Sequence, residues 1–172
     1  MYQHHTDSIE KLKEYYAHTE GVIAVILDGS VVKGNARPDS DIDAIVVVTD
    51  KKFAALKAED RMTEIIVGHC TYEGGYFDVK YKTKALLEDA AERASEPTRN
   101  AYVKAQVVYS VDEEIGRLVE KIAAYPERER EKKIRCFQAN LELNRVYFLN
   151  CVPDSNVYMR AHLAHEIVYS VY

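Results

Sequence analysis

Two short apolar runs constrain the fold of this chain more than any other feature of its sequence. Val22–Leu27 is aliphatic and rich in β-branched residues, and it ends abruptly at Asp28. Residues 41–48 form a second run, whose far end is apolar at consecutive positions. Consecutive apolar residues are typical of strands that are buried on both faces. We therefore predict two central strands of one sheet, joined by a short irregular connection around Gly34 and Pro38.

Further segments with helical or strand-like spacing surround these two strands. Apolar residues at helical spacing predict helices over residues 8–18 and 51–60. Two more strands are predicted over residues 63–69 and 76–81, the second of them preceded by a Gly-Gly turn. The predicted sheet therefore has four strands.

The pattern becomes helical after Thr83 and stays helical to the end of the chain. We place a domain boundary near Ser110, which gives a first domain over residues 1–110 and a helical domain over residues 111–172. A chain of 172 residues is long enough for one compact domain with a helical appendage.

The helical domain is predicted to be a small bundle. A long helix over residues 126–150 carries one apolar stripe on a strongly charged cylinder, formed by Ile134, Phe137, Leu141 and Phe148. A second apolar helix over residues 157–172 supplies a partner for that stripe. This helix is still apolar at Tyr172 and lacks a capping signal, which is typical of a shortened form of a longer protein.

Two carboxylates stand one residue apart at the start of the second strand. Side chains alternate along a strand with a period of two, so Asp41 and Asp43 project from the same face. Like carboxylates at close range repel each other, and divalent cations such as Mg²⁺ remove that repulsion. In the strand over residues 76–81, Asp78 faces away from its apolar neighbours Phe77 and Val79, so a neighbouring strand would bring it to the pair.

The first strand ends in a turn that suits a phosphate group. Gly29 lets the backbone approach a phosphate closely, Ser30 offers a hydroxyl and Lys33 adds a positive charge. The phosphate loop of the other large nucleotide-binding class requires a lysine directly after its second glycine. Here Gly34 is followed by Asn35, which excludes that class.

The spacing of Gly29-Ser30, Gly34 and Ser40-Asp41-Ile42-Asp43 resembles the nucleotidyltransferases of the DNA polymerase β superfamily. It looks most like the aminoglycoside nucleotidyltransferases and the minimal nucleotidyltransferase domains of prokaryotes. The motif region covers about residues 22–81, and the helical remainder is similar to the family only in general layout. The resemblance implies an α/β (α+β) fold, a mixed sheet flanked by helices and followed by the C-terminal helical bundle.

The resemblance also implies roles for individual residues. Two Mg²⁺ ions would be held by Asp41, Asp43 and Asp78, which form the catalytic group. The nucleotide, most simply ATP, would be contacted by Gly29, Ser30 and Lys33, and Ser40 would support the first aspartate. A carboxylate near the metals or in the helical domain would activate the acceptor hydroxyl, and both Asp78 and Glu142 stay open for that role.

Two histidine groups have simpler explanations than metal binding. His4 and His5 lie near the N-terminus, where we expect a flexible segment. His162 and His165, followed by Glu166, do not have the order of a zinc protease site, and we expect structural roles for them.

Composition narrows the cellular setting and the partners. The polar N-terminus lacks the apolar core of a signal peptide, and no run approaches the roughly 20 apolar residues of a membrane span. Three cysteines without Cys-x-x-Cys spacing fit reduced thiols, so we expect a cytoplasmic protein that is neither exported nor membrane-spanning. A net charge of -5 argues against a nucleic acid partner.

We therefore predict an enzyme that moves AMP from ATP to a hydroxyl of a small-molecule acceptor, such as an aminoglycoside-like antibiotic. The alternative is a minimal nucleotidyltransferase of antitoxin type that binds or modifies a partner protein. The acceptor, the nucleotide preference and the oligomeric state stay open, with a homo-oligomer or a helical protein partner as alternatives.

Overall fold

The computed structural model describes residues 1–169 of the chain. They divide into two compact units, the first over Met1–Ala124 and the second from Tyr125 onward. The first unit is a sheet with helices on both faces, and the second is helical.

The sheet of the first unit has five strands: β1 Val22–Leu27, β2 Ile42–Val48, β3 Thr63–Val67, β4 Tyr76–Thr83 and β5 Gln106–Ser110. Their order across the sheet is β3-β4-β2-β1-β5. β2 and β4 run parallel, whereas the other neighbouring pairs are antiparallel. The predicted mixed sheet is therefore confirmed.

Strand β5 is the one that the sequence pattern missed. Its five residues lie between two helices in a region that was predicted to be entirely helical. Val107 and Tyr109 are half-buried, and the strand pairs with the outer edge of β1. The prediction of four strands was therefore wrong. The fifth strand forms because its pairing covers an edge of β1 that would otherwise expose its backbone groups.

Helices cover both faces of this sheet: α1 Gln3–Ala17, α2 Gly29–Lys33, α3 Asp50–Ala58, α4 Lys84–Arg93, α5 Glu96–Tyr102 and α6 Glu114–Ala123. Buried residues of α1, α2 and α3 form one core layer with Val25 and Leu27 of β1. Buried residues of α4, α5 and α6 form the other layer with Ala24 and Ile26. Both faces of β1 are thus apolar, as its sequence predicted.

The first unit extends beyond the boundary that the sequence placed near Ser110. The buried residues of α6 are Ile115, Val119 and Ile122, and they share a core layer with α4 and α5. Their spacing of three to four residues gives α6 one apolar face, which packs in this unit.

The N-terminus is a packed helix and not the flexible segment that was predicted. α1 begins at Gln3, and His5 is fully buried. The His5 ring packs edge-on against Tyr72, and the His4 ring lies edge-on to His5 at a centroid distance of 4.4 Å. This aromatic packing makes the expectation for His4 and His5 wrong.

The second unit is divided into shorter segments than expected: a 3-10 turn Glu127–Glu129, α7 Arg130–Glu142, a π-helical segment Leu143–Phe148, α8 Leu149–Cys151 and α9 Val157–Tyr169. The π-helical segment interrupts the predicted long helix. Ile134 and Phe137 of the predicted stripe stay about 45% and 43% exposed.

Residues 170–172 of the predicted last helix, including Tyr172, lie outside the described residues. Along residues 1–169, no helix combines the length and the apolar character needed to cross a bilayer.

Candidate active site

Three aspartates form a row across three neighbouring strands at one end of the sheet. Asp43 in β2 is the register partner of Asp78 in β4. Leu27 pairs with Ala44 in the antiparallel β1–β2 ladder, and the N–H of Asp28 donates to the carbonyl of Asp43 at 3.2 Å. Asp28 therefore extends the row on the other side of Asp43.

The row lies on the face that α4, α5 and α6 cover. In β4, Phe77 and Val79 belong to the opposite core layer. Asp78 alternates with them, so it faces the other way, as predicted from the period of two. The structure thus brings Asp43 and Asp78 together.

Lys80, two residues after Asp78, completes this group with a positive charge. Its Nζ lies 3.2 Å from Oδ2 of Asp78 and 3.4 Å from Oδ1 of Asp43. The two carboxylates therefore converge on one ammonium group. All three side chains are partly exposed, with the Asp43 side chain 22% exposed.

Asp41 precedes β2 and acts on the site mainly through its charge. It contributes to raising the pKa of Asp43, after the larger effect of burial and against the attraction of Lys80. The negative charge of Asp41 and a hydrogen bond to its side chain also raise the pKa of Tyr76.

Asp28 is the most deeply buried carboxylate of the row, with only 7% of its surface exposed. Its Oδ1 is buried without a hydrogen-bond partner among the described residues. Burial and the nearby charge of Asp43 raise the pKa of Asp28, while Lys80, Lys33 and Lys82 act in the opposite direction. A buried, incompletely satisfied carboxylate is expensive to maintain, which is typical of a functional site.

Gly29 packs directly against the carboxylate of Asp43. Its φ of 72° lies in the left-handed region that favours glycine. A Cβ at this position would collide with Asp43 Oδ2. The glycine is thus required both by the turn after β1 and by the close approach of its backbone to the site.

The other predicted nucleotide contacts lie in the segments around Gly29. Ser30 is in the first turn of α2, and Lys33 is in its last turn, near enough to act on Asp28 through its charge. Ser40 closes the loop before Asp41, where its Oγ accepts from the N–H of Arg37 at 2.9 Å.

The loop that leads to Asp41 is held by side chains from two other segments. The hydroxyl of Tyr72 donates to the carbonyl of Ser40 at 2.6 Å, and burial raises the pKa of Tyr72 to about 12. His4 Nε2 lies 2.9 Å from the carbonyl oxygen of Pro38. These contacts fix the backbone directly before the Asp-x-Asp segment.

Glu142, which the sequence left open as a base, lies in the second unit at the end of α7. There its carboxylate pairs with Arg145 at 3.0 Å.

The donor set suits an oxygen-preferring divalent cation at Asp43 and Asp78, because their oxygens already converge on one positive charge. Within residues 1–169, however, no group of three or more histidine, cysteine, aspartate or glutamate side chains is arranged to hold a metal ion. Asp41 is thus not assembled with Asp43 and Asp78 into a three-carboxylate site.

Asp28 and Lys80 are the site residues that sequence reasoning missed. The alternation that assigns Asp78 to the site face assigns Lys80 to it as well, so that signal was available. For Asp28 the signal was weaker: a charged residue directly after a fully apolar strand.

Residues 10–114 match the family model described as "Polymerase beta, Nucleotidyltransferase". A comparison with curated proteins finds no match.

Several solved structures are similar in fold at low identity. A nucleotidyltransferase-like protein from Exiguobacterium sibiricum is 10% identical with a TM-score of 0.48, and the match covers 95% of this chain and 54% of that one. The present chain thus spans about half the length of that protein. A spectinomycin adenyltransferase from Enterococcus faecialis, solved with ATP and spectinomycin, is 15% identical with a TM-score of 0.41, covering 96% and 89% of the two chains. A toxin-antitoxin structure with AMP-PNP is 16% identical with a TM-score of 0.39, covering 77% and 96%.

Proposed function

The chain belongs to the polymerase β nucleotidyltransferase family, and on that basis we propose that it transfers AMP from ATP to a hydroxyl group of a small acceptor molecule. The observation that carries this proposal is the convergence of Asp43 and Asp78 beside Gly29, in a row that three strands hold in register. The two carboxylates offer oxygen ligands for a divalent cation. The glycine turn beside them lets the backbone and a triphosphate approach each other closely.

The reaction that fits this arrangement is an in-line displacement at the α-phosphorus of ATP. The acceptor oxygen forms a bond to that phosphorus, the bond to the bridging oxygen breaks, and pyrophosphate leaves with its electron pair. The hydroxyl proton passes to a carboxylate. Asp78 is our choice for that role, because it is the register partner of Asp43, whereas the Glu142 carboxylate is already paired with Arg145.

Asp43 and Asp78 would hold a divalent cation once the ammonium group of Lys80 has moved away from them. Asp41 would then be the third carboxylate ligand. When bound, such a cation neutralises phosphate oxygens and stabilises charge on the leaving group. Gly29, Ser30 and Lys33 would contact the phosphates, and Ser40, held by Tyr72, would keep Asp41 in place. Three free cysteines support a cytoplasmic setting, where ATP is available.

We rank a small molecule first as acceptor, a protein side chain second and a nucleic acid last. An aminoglycoside-like antibiotic is cationic, and the net negative charge of the chain would favour such an acceptor. A polynucleotide acceptor normally requires a basic track, and the net charge of -5 does not favour one.

The test is pyrophosphate release and label transfer with α-labelled ATP, Mg²⁺ and a panel of hydroxylated acceptors. We expect acceptor-dependent transfer that Asp43→Asn reduces by about a thousandfold or more, since the whole centre depends on this carboxylate. Asp7→Asn, an exposed aspartate of α1, is the matched control and should transfer at the wild-type rate. Transfer that survives Asp43→Asn, or no transfer to any acceptor, would contradict the proposal.

A partner protein is the second candidate acceptor, because the second unit exposes large apolar side chains. Val157 and Tyr158 of α9 are about 72% and 80% exposed, and Tyr147 is 60% exposed. Several large apolar side chains exposed in one small unit would suit contact with a partner protein. Co-purification with a helical protein, followed by transfer of labelled AMP to that protein and to no small molecule, would favour this antitoxin-like alternative.

A further inference from the structure

Lys80 lies at the point where a cation shared by Asp43 and Asp78 would have to bind. Its ammonium group is within 3.4 Å of an oxygen of each carboxylate. A lysine held between two carboxylates carries its positive charge at neutral pH, because both partners favour the ammonium form.

Lys82 stands two residues further along the same face of β4 and has different partners. Its Nζ donates to the hydroxyl of Tyr102 at 3.3 Å and lies over the Tyr102 ring, 5.3 Å from its centroid. The ion pairs of Asp43 and Asp78 are with Lys80. The two lysines thus carry equal charges on one strand face, but only Lys80 is placed between the carboxylates.

A lysine in this position competes with a metal ion in two ways. Mg²⁺ binds carboxylate oxygens at about 2.0–2.1 Å, which leaves no room for an ammonium group between the same two carboxylates. Two positive centres at that separation would also repel each other. A cation can therefore bridge Asp43 and Asp78 only when the Lys80 side chain moves away.

The Lys80 side chain is able to move, because it is 39% exposed and carries its charge on a flexible four-carbon stem. A triphosphate entering beside Gly29 would offer it new negative partners. The loss of its contacts with Asp43 and Asp78 would then be offset, and the carboxylates would become free for the cation.

We propose that Lys80 is a built-in counter-ion that occupies the cation position between Asp43 and Asp78 until nucleotide binds, and then contacts the phosphates. Divalent cations would bind weakly to the protein alone and more tightly together with the nucleotide. Because such coupling is reciprocal, the cation would strengthen nucleotide binding by the same factor. The nucleotide part of this proposal rests on the proposed function, whereas the competition between Lys80 and a cation does not.

The first test is a titration of nucleotide-free protein with Mn²⁺ alone, followed by electron paramagnetic resonance of the unbound ion. We expect Lys80→Met to bind Mn²⁺ about tenfold more tightly than the wild type, because a competing charge has been removed. Lys82→Met is the matched control, which removes an equal charge from the same face and should change the affinity much less. Lys80→Arg should keep the affinity near that of the wild type.

Equal affinities for Lys80→Met and the wild type, or equal gains for Lys80→Met and Lys82→Met, would overturn the competition. If Lys80→Met does not fold, as judged by its thermal transition, Lys80→Gln provides the same comparison.

The second test repeats the titration with a non-hydrolysable ATP analogue. Nucleotide should tighten Mn²⁺ binding to the wild type by a larger factor than to Lys80→Met. An equal factor for both proteins would overturn the coupling through Lys80. If the analogue did not bind at all, the proposed function would fail, while the Mn²⁺ titration without nucleotide would still decide whether Lys80 is the resident counter-ion.

Discussion

Strand β4 has two faces that differ in chemistry although they are built from alternating residues of one segment. Phe77, Val79 and Tyr81 are buried in the core layer under α1 and α3. Asp78 and Lys80, on the other face, form ion pairs at the candidate site and stay partly exposed. One face therefore contributes to stability, and the other carries charges that stability alone does not require. Substitutions at neighbouring positions should separate these two contributions.

The strongest test of this difference compares Phe77→Ala with Asp78→Ala. Phe77 is only 1% exposed, and removing its ring should cost about 3–5 kcal/mol of unfolding free energy. Asp78→Ala should leave stability nearly unchanged and reduce nucleotidyl transfer by about a thousandfold or more. Denaturant unfolding and the labelled-ATP assay measure the two effects.

A large loss of stability in Asp78→Ala would show that the two faces are not separable. Val79→Ala is a useful companion, because Val79 is fully buried in the same core layer as Phe77. It should reduce stability with transfer retained wherever the protein remains folded.

Gly29→Ala tests whether the close approach of the Gly29 backbone to the Asp43 carboxylate is required. A left-handed φ of 72° costs a non-glycine residue about 1–2 kcal/mol, and the new Cβ would displace the Asp43 carboxylate. We expect a loss of stability of roughly that size together with a much larger loss of transfer. Gly34→Ala is the matched control, because its φ is also positive at 85° but a Cβ there meets no atom within 4 Å. Equal losses of transfer in the two variants would argue against the contact with Asp43.

Much of the site face was predictable because strand alternation is a strong rule. It placed Asp43 and Asp78 on one face, and the β-branched runs gave β1 and most of β2 their observed bounds. Register is a different matter, since it depends on pairing between distant segments. Asp28 lies beside Asp43 because β1 pairs with β2 in one particular register. That register cannot be read from the sequence of either strand alone.

The residues that were missed depend on tertiary contacts in the same way. Alternation places Lys80 on the site face, but whether its charge meets carboxylates or solvent is decided by the neighbouring strand β2. His5 was expected at a flexible end, yet Tyr72 from a distant loop packs against it and buries it. Strand β5 escaped recognition because five residues between helices carry too little periodicity to outweigh their surroundings.

Asp28→Asn should stabilise the protein, by an effect smaller than the previous ones. Burial and the charge of Asp43 raise the pKa of Asp28, so ionising Asp28 costs stability as the pH rises through its folded-state pKa. The neutral amide avoids that cost. We expect a Tm at pH 7 about 2–4 °C higher, which corresponds to roughly 1 kcal/mol in a protein of this size.

The gain from Asp28→Asn should shrink as the pH falls toward the ordinary pKa of an aspartate, because Asp28 then becomes neutral in the wild type as well. Thermal unfolding at pH 7 and near pH 4 checks this dependence. Asp39→Asn, in an exposed ion pair with Arg37, is the control and should leave the Tm at pH 7 nearly unchanged. A destabilised Asp28→Asn protein at pH 7 would contradict the inference that ionisation of the buried Asp28 carboxylate costs stability.

The smallest expected effect on stability comes from comparing the two faces of the edge strand β3. Ile65, the register partner of Asp78, is 66% exposed, whereas Ile66 packs against the core layer that contains Phe77. Threonine is also β-branched and suits a strand, so Ile65→Thr should change stability by no more than about 0.5 kcal/mol. Ile66→Thr should cost about 1 kcal/mol, since it removes apolar contacts and partly buries a hydroxyl. Parallel denaturant titrations of the two variants compare the same substitution on opposite faces. Equal losses of unfolding free energy would mean that the face shared with Asp78 also contributes to the core. The difference between a stabilising face and a site face, inferred for β4, would then not extend to the edge of the sheet.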